Sequence, residues 1–181
     1  IESAGADLEG EAGHFLDALA RATELGLVQD AVLAQSEKER AAFWAIRDNI
    51  ESLAVLWPLA IFDISLPLAT MADYLERTGA RLEQRLGELR WVTFGHLGDS
   101  NLHLAIALGG DDPALRHAVE EIVYAGLAGI GGSVSAEHGI GLEKREFLHC
   151  SRSATEIELM KTLKRALDPR NILNPERIFR L

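Results

Sequence analysis

The apolar positions of the chain follow two different periods. Long stretches repeat apolar residues at the 3.6-residue period of a helix, whereas short β-branched and aromatic runs are typical of strands. These patterns predict helices at 8–26, 37–56, 67–86, 112–128 and from Ser153 onward. They predict strands at 31–35, at 60–65 and in a hairpin at 91–108, and the chain also looks extended at Ile1. Helices mixed with hairpin-joined strands predict an α+β fold with an antiparallel sheet and helices packed on one face.

Helix starts and stops are marked by local signals. Ser36 and Ser153 are each followed three residues later by a glutamate, which is the spacing of a capping box. Asp168-Pro169 predicts the end of the last helix, because proline disfavours a helical conformation in the residue before it. The tail at 168–181 has little period. We therefore expect one domain over 1–167 and a short tail that docks on another part of the protein.

Two histidines flank the turn of the predicted hairpin. Strand residues run up to His96, and a second strand begins at Leu102 after the turn residues Gly98-Asp99-Ser100-Asn101. If Leu97 pairs with Leu102, His96 lies directly opposite His103, with Cβ atoms roughly 5 Å apart. Two imidazoles so placed can share a divalent ion, zinc for example. The alternative is an ordinary hairpin with two core or surface histidines.

A second histidine segment lies between glycines. Glu137 and His138 stand within a stretch that holds five glycines between positions 129 and 141, which permits close backbone approach to a ligand. Neighbouring residues of an extended segment point in opposite directions. One of the pair can therefore join a metal while the other faces a substrate or cofactor. A flexible surface loop with a chance Glu-His pair remains the alternative.

Three motifs together resemble a known family. They are Gly95-His96-Leu97-Gly98-Asp99-Ser100-Asn101-Leu102-His103, then Glu137-His138-Gly139-Ile140-Gly141-Leu142-Glu143-Lys144, then Leu167-Asp168-Pro169-Arg170-Asn171-Ile172-Leu173-Asn174-Pro175. In this order they look like the carboxy-terminal half of FAD-linked 2-hydroxy-acid dehydrogenases, the group of D-lactate dehydrogenase, D-2-hydroxyglutarate dehydrogenase and the glycolate oxidase flavin subunit. The segment Phe62–Pro67 is similar to the strand-into-helix segment of that domain. The resemblance covers essentially the whole chain.

The resemblance implies a role for each matching residue. His96, His103 and Glu137 match the metal ligands, and His138 matches the histidine beside the reacting carbon, which makes it the candidate catalytic base. Two further matches complete the implied site. Arg47 matches the arginine that binds the substrate carboxylate, and Asn174 matches a residue near the flavin.

Arg47 also stands out by position. It interrupts an apolar stripe that begins at Phe43 and Ile46 on the predicted helix 37–56. A buried guanidinium needs an anion, and its planar fork suits a carboxylate. A pair with Glu51, one turn on, or extension of the side chain into solvent would explain it equally well.

Three departures from the hydroxyglutarate branch bear on the substrate. That branch has a threonine where Glu51 stands, a lysine where Ile61 stands and an asparagine where Ala105 stands. The loss of these polar groups favours a 2-hydroxy acid with one carboxylate, lactate-like or with an apolar side chain. Glu51 would also compete with a substrate carboxylate for Arg47.

Composition removes several classes of function. The 181 residues carry a net charge of −10, which argues against a nucleic-acid partner. Cys150 is the single cysteine, so an internal disulfide is excluded and a reducing compartment is favoured. No apolar run reaches the roughly 20 residues of a membrane span, and no secretory signal is present. We expect a cytoplasmic protein, with peripheral membrane contact through an electron acceptor as an open alternative.

The sequence lacks a nucleotide-binding signature. No Gly-x-Gly-x-x-Gly opens a helix after a strand, and no Walker motif occurs. The chain starts at Ile1, so we expect a fragment whose FAD is bound mainly by an upstream domain of the same full-length chain. The resemblance then implies an FAD-dependent 2-hydroxy-acid dehydrogenase that passes electrons to an acceptor. A self-contained metal-dependent hydrolase and a non-catalytic metal- or carboxylate-binding module are the alternatives.

Overall fold

The computed structural model describes residues 2–3 and 6–181 and divides the chain into two compact units. The first is Ile1–Ile50 and the second is Glu51–Leu181. The extended conformation expected at Ile1 lies outside the described residues.

Among its described residues, the first unit contains two α-helices. Helix α1 spans Leu8–Glu24 and helix α2 spans Glu37–Asp48. The Ser36 hydroxyl accepts a hydrogen bond from the backbone N–H of Glu39 at 3.3 Å, as the capping pattern predicts. The strand predicted at 31–35 is wrong: these residues form no ladder, because four apolar positions and a glutamine do not make a strand without a pairing partner.

Helix α2 is shorter than its apolar stripe predicts. The prediction of one helix over 37–56 is wrong, because Asn49 leaves the helical region with φ −76° and ψ 59°. A 3₁₀ turn then follows at Ile50–Leu56. Asparagine competes for backbone hydrogen bonds and so favours helix ends over helix interiors. No residue of α2 is fully buried.

The second unit contains the sheet. Its regular elements are β1 (Leu59–Ser65), α3 (Leu68–Leu86), β2 (Trp91–His96), β3 (Asn101–Ala107), α4 (Pro113–Ala125) and α5 (Ala154–Leu167). Short 3₁₀ turns occur at Leu97–Asp99 and Arg145–Cys150. The three strands pair antiparallel in the order β1-β3-β2. The predicted α+β class with an antiparallel sheet is confirmed.

The hydrophobic core lies between one face of this sheet and helices α3 and α4. Side chains alternate along each strand, so every second residue faces the core. The buried strand residues on this face are Ala60, Phe62, Ile64, Leu102, Leu104 and Ile106. The Tyr74 hydroxyl of α3 donates to the Val123 carbonyl of α4 at 3.0 Å and ties the two helices together. The opposite sheet face is therefore left for other contacts.

The hairpin has a different register from the one predicted. His103 pairs with Phe94, and His96 pairs with Asn101, so the two histidines are not directly opposite each other. The turn comprises residues 97–100, with Ser100 in the left-handed region at φ 57°. A register shift by an even number of residues keeps each side chain on its original face. His96 and His103 consequently still share one face as diagonal neighbours.

Helix α5 starts and ends where the sequence predicts. Ser153 and Glu156 form the complete capping box. The Asp168 carboxylate then accepts the backbone N–H groups of Ile172 at 3.1 Å and Leu173 at 2.9 Å. Further along the tail, the N–H of Ile178 donates to the Gly141 carbonyl at 2.8 Å. Over the described residues, no helix is long and apolar enough to cross a membrane.

Candidate metal and substrate site

The site occupies the sheet face opposite the core. On this face Asp63 of β1, His103 of β3 and Phe94 of β2 form one cross-strand row. The rings of Phe94 and His103 lie 5.0 Å apart. His96 stands two residues beyond Phe94, so it falls in the next row on the same face.

Three ligand atoms converge at this end of the face. The Nε2 atom of His96 lies 3.5 Å from Oε1 of Glu137, and the Nε2 atom of His103 lies 3.9 Å from Oε2 of the same carboxylate. The two histidine rings are 5.7 Å apart and nearly perpendicular. One ligand atom from each of the three residues lies within 4.8 Å of the others. Ligand bonds of roughly 2.0–2.2 Å to one ion are compatible with such spacings, so this donor set fits a divalent metal.

The loop that carries Glu137 and His138 is bound to Asp63. The Asp63 carboxylate accepts the backbone N–H groups of three successive residues: Ala136 at 3.2 Å, Glu137 at 3.0 Å and His138 at 2.9 Å. It also accepts the Ser135 hydroxyl at 3.2 Å. Successive N–H groups that converge on one anion form a nest. Because of these bonds, the loop is fixed to the centre of β1.

Lys144 completes this polar cluster beneath the loop. Its ammonium is buried and donates to the Asp63 main-chain carbonyl at 3.2 Å and to the Ser135 hydroxyl at 3.1 Å. It also reaches the Asp63 carboxylate at 3.4 Å. Burial lowers the pKa of the Lys144 ammonium, and the Asp63 carboxylate partly offsets that effect. The two buried charges thus compensate each other.

The charge of Asp63 is held by its donors. The residue is 1% exposed, and burial raises the pKa of its carboxyl. The backbone N–H groups of His138 and Glu137, together with the Lys144 charge, outweigh burial and lower the pKa to about 2. Asp63 is therefore ionised at any physiological pH.

His138 stands beside the three converging residues. Its ring stacks over that of His103 with a centroid separation of 6.2 Å. Its Nδ1 atom lies 3.8 Å from the Asp63 carboxylate, and the Nδ1 atom of His103 lies 4.0 Å from the other Asp63 oxygen. His138 is mostly exposed, whereas His103 is nearly buried. The Nε2 edge of His138 is therefore the one directed away from Asp63.

Next to the polar row, the same face becomes apolar. Ile61 pairs with Ala105, and Ala105 pairs with Val92, so these three form the row that follows Asp63 and His103. The row lies about 7 Å from the polar one, which is two residues along a strand. Ile61 is 54% exposed, so an apolar surface is accessible here.

At the other side of the histidines lies an amide without a partner. Asn101 is 3% exposed, and neither atom of its side-chain amide has a hydrogen-bond partner among the described residues. A buried amide left in this state costs about 1–3 kcal/mol. Asn101 pairs with His96 across the hairpin, so this enclosed amide shares the sheet face and the row of His96.

Comparison with known proteins shows the family of the chain. The family model for the C-terminal domain of FAD linked oxidases matches residues 1–178. The chain belongs to this family. A mitochondrial D-2-hydroxyglutarate dehydrogenase of Arabidopsis thaliana is 36% identical over 99% of the chain and 32% of its own length. The D-2-hydroxyglutarate dehydrogenase of Stutzerimonas stutzeri is 36% identical over 96% of the chain and 39% of its own length.

A third relative carries a different substrate in its name. A Schizosaccharomyces pombe protein, provisionally named a mitochondrial D-lactate dehydrogenase, is 35% identical over 97% of the chain and 35% of its own length. The chain thus spans about a third of the length of these curated relatives. The names of these relatives include mitochondrial and bacterial proteins, and the cytoplasmic location stays a prediction.

Two residues with roles implied by the FAD-linked oxidase family lie apart from the converging group in sequence. Arg47 lies on α2 in the first unit, where its guanidinium pairs with Asp48 at 2.9 Å and lies 5.6 Å from the Trp44 ring. Asn174 lies in the tail of the second unit with φ 49° and an exposed side chain. Its carbonyl accepts the N–H of Arg177 at 3.3 Å.

Sequence reasoning assigned no role to Asp63 or Asn101. One signal for Asp63 was available: it is the single charge in the apolar run Leu59–Ile64, and a buried carboxylate needs several donors. Sequence reasoning also did not predict that Lys144 is the partner of a buried acid. The sequence contains no comparable signal for Asn101, because asparagine is common in hairpin turns.

Proposed function

We propose that this chain supplies the metal- and substrate-binding part of an enzyme that oxidises a 2-hydroxy acid to a 2-oxo acid, with hydride transfer to FAD. The single observation that carries the proposal is the convergence of His96, His103 and Glu137 with His138 beside them. Membership of the FAD-linked oxidase family supports the redox chemistry over the hydrolase and binding-module alternatives.

The three converging residues are the proposed ligands of a divalent metal. Two imidazoles and one carboxylate suit zinc and other borderline divalent ions, and they leave coordination positions open. Such an ion would orient the substrate and make its hydroxyl more acidic, while FAD would accept the hydride. His96 and His103 use Nε2 in this assignment, since these atoms lie nearest to Glu137.

His138 is the proposed base for the substrate hydroxyl. Its Nδ1 atom faces the Asp63 anion, which favours a proton on Nδ1 and an unprotonated Nε2. An unprotonated Nε2 on an exposed ring can accept the hydroxyl proton. The α-hydrogen leaves with its electron pair as hydride, so the substrate loses two electrons in total.

The remaining groups of the proposed enzyme come from other parts of the chain or of the full protein. Arg47 is proposed to bind the substrate carboxylate, since its planar guanidinium suits one; in the structure this group is exposed and pairs with Asp48. Asn174 and the tail at 168–181 are proposed to meet an FAD-binding domain encoded upstream, and residues 1–167 form the substrate-binding domain. An electron acceptor then reoxidises the flavin.

The apolar row of the site supports a monocarboxylic substrate. Ile61, Ala105 and Val92 offer no donor to a second carboxylate, and a buried carboxylate without partners is costly. A lactate-like acid, or one with an apolar side chain, would place that side chain on this row.

The decisive experiment uses the full-length protein that contains this chain. We expect about one divalent ion per chain in protein purified without chelator, and its loss in His96→Ala. In His138→Gln we expect metal and flavin to be retained, while flavin reduction by a 2-hydroxy acid slows 10²- to 10⁴-fold. His117→Gln is the matched control, because His117 lies on α4, on the other side of the core from the site. It should change neither the metal content nor the rate of flavin reduction.

Two outcomes would contradict the proposal. Unchanged metal content in His96→Ala would remove the ligand assignment. Bound metal without flavin reduction by any 2-hydroxy acid would instead support a binding module.

A further inference from the structure

We propose that Asp63 is a positioning residue, whose carboxylate sets where Glu137 and His138 stand relative to His103. This role rests on the proposed function, because that function makes Glu137 a metal ligand and His138 a base. The hydrogen bonds of Asp63 do not depend on it. Asp63 touches neither a substrate nor a metal in this assignment. It acts through the residues that do.

Several hydrogen bonds join the Asp63 carboxylate to the short segment 136–138. Three successive backbone N–H groups, from Ala136 to His138, end on Asp63. Two of the three residues, Glu137 and His138, are the proposed metal ligand and the proposed base. A displacement of the Asp63 carboxylate would therefore move both functional side chains together.

Asp63 lies on a strand of the sheet beside His103. It pairs directly with His103 across β1 and β3, so its backbone is fixed by the same ladder that fixes His103. The glycine-rich loop itself has no strand ladder beyond one bridge between Ser65 and Ser133. Asp63 thus joins the glycine-rich loop to a strand of the sheet, and support of this kind orients metal ligands and raises metal affinity.

The Lys144 ammonium also holds the loop to β1. It donates to the Asp63 main-chain carbonyl and to the Ser135 hydroxyl, so it bridges β1 and the loop a second time. Its positive charge also permits the carboxylate to stay ionised in a buried place. The loop donors all reach one charged oxygen of Asp63, Oδ2, whereas an asparagine would offer them a neutral oxygen and place two N–H groups on the other atom.

The test compares Asp63→Asn with the parent in the full-length protein. Affinity for Zn²⁺ alone, measured by competition with a chelating dye, should fall 10- to 100-fold. In metal-free protein, hydrogen exchange at the amides of 136–138 should accelerate at least tenfold, while exchange in α3 stays unchanged. Val119→Ala, a core truncation on α4, is the control for general destabilisation and should keep Zn²⁺ affinity within about twofold.

Milder variants keep the test informative if Asp63→Asn fails to fold. Ser135→Ala removes one donor, and Lys144→Met removes the bridging charge. Both should weaken Zn²⁺ binding, but by less than Asp63→Asn. Zn²⁺ affinity and local exchange that match the parent in every folded variant would overturn the proposal. If the parent itself binds no Zn²⁺, the proposed metal site fails, and the exchange data alone decide the role of Asp63.

Discussion

At the scale of single residues, the Asp63 carboxylate links acid stability to site geometry. Its pKa is lowered from 3.8 to about 2 in the folded chain, so the charged form stabilises the fold above about pH 4. That stabilisation is lost as the pH falls from about 4 to about 2, because the unfolded chain takes up a proton in this range before the folded chain does.

The expected size of this effect is about 2 kcal/mol. We predict that the difference in unfolding free energy between the parent and Asp63→Asn is constant above pH 4.5 or so and shrinks by this amount toward pH 2. Urea unfolding of chelator-treated protein at several pH values measures it. For Val119→Ala the corresponding difference should not change with pH, since no titratable group is altered. A constant difference for Asp63→Asn would contradict the prediction.

Ile61 is the second residue with a defined consequence. It lies two residues from Asp63 on the site face, and a lysine there would bring an ammonium to the apolar row. A charge-assisted hydrogen bond is worth about 1.5–3 kcal/mol. We predict that Ile61→Lys raises kcat/KM for D-2-hydroxyglutarate relative to D-lactate by about ten- to a hundredfold.

Steady-state dye reduction with both acids, in the full-length protein, measures this ratio. Ile61→Met has a similar length without the charge and should leave the ratio near that of the parent. A parent enzyme that already prefers the dicarboxylate would show that the apolar row does not contact the substrate side chain.

At the scale of elements, the predicted hairpin register is wrong, but the prediction that His96 and His103 lie on the same face of the sheet is correct. The predicted pairing of His96 with His103 differs from the observed pairing by two positions. Strand alternation has period two, so the shift changes which residues are opposite but not which side they occupy. The local pattern therefore predicts the face, whereas the register depends on the turn conformation around Ser100.

Gly95 is required by this register. A Cβ atom built there would lie 2.3 Å from the Asn101 carbonyl oxygen of β3, so alanine forces the strands apart. We predict that Gly95→Ala lowers the unfolding free energy by about 1–3 kcal/mol and weakens metal binding, because His96 is the next residue. Gly98→Ala is the matched control: a Cβ there meets nothing within 4 Å. Equal stability of the two variants, measured by thermal unfolding, would contradict the observed hairpin register.

At the scale of the whole molecule, the sheet and its helices were predictable, and the loop site was predictable only in part. Apolar periods predict α3 and α4, since each buries one face, and the capping box predicts the start of α5. The site residues were found through glycine-rich motifs. The hydrogen bonds that hold this loop to Asp63 were not predicted, because positions 63 and 136–138 are more than 70 residues apart in the sequence.

The two wrong predictions of secondary structure, at 31–35 and at the end of α2, have a similar origin. The short run at 31–35 has strand-like residues but no neighbouring strand to pair with, and pairing cannot be read from five residues. The break of α2 at Asn49 depends on one backbone conformation that the apolar stripe does not encode. Local sequence thus predicts elements best where the burial that stabilises them is also local.

The dependence on FAD is the prediction that belongs to the molecule as a whole. The sequence has no Gly-x-Gly-x-x-Gly after a strand, and the matched family is a C-terminal domain. Large apolar side chains are also exposed at the end of α5 and in the tail that follows it, among them Leu167, Ile172 and Leu173. Apolar groups grouped in this way favour contact with another surface.

We therefore predict that the 181 residues alone purify colourless and bind no FAD on titration, whereas the full-length protein retains about one FAD per chain. Visible absorbance and quantification of released flavin measure both. Circular dichroism of the 181-residue protein must show the helices of both units, so that absence of flavin is not a failure to fold. Stoichiometric FAD on the folded 181 residues would place the flavin site within this chain and remove the need for an upstream domain.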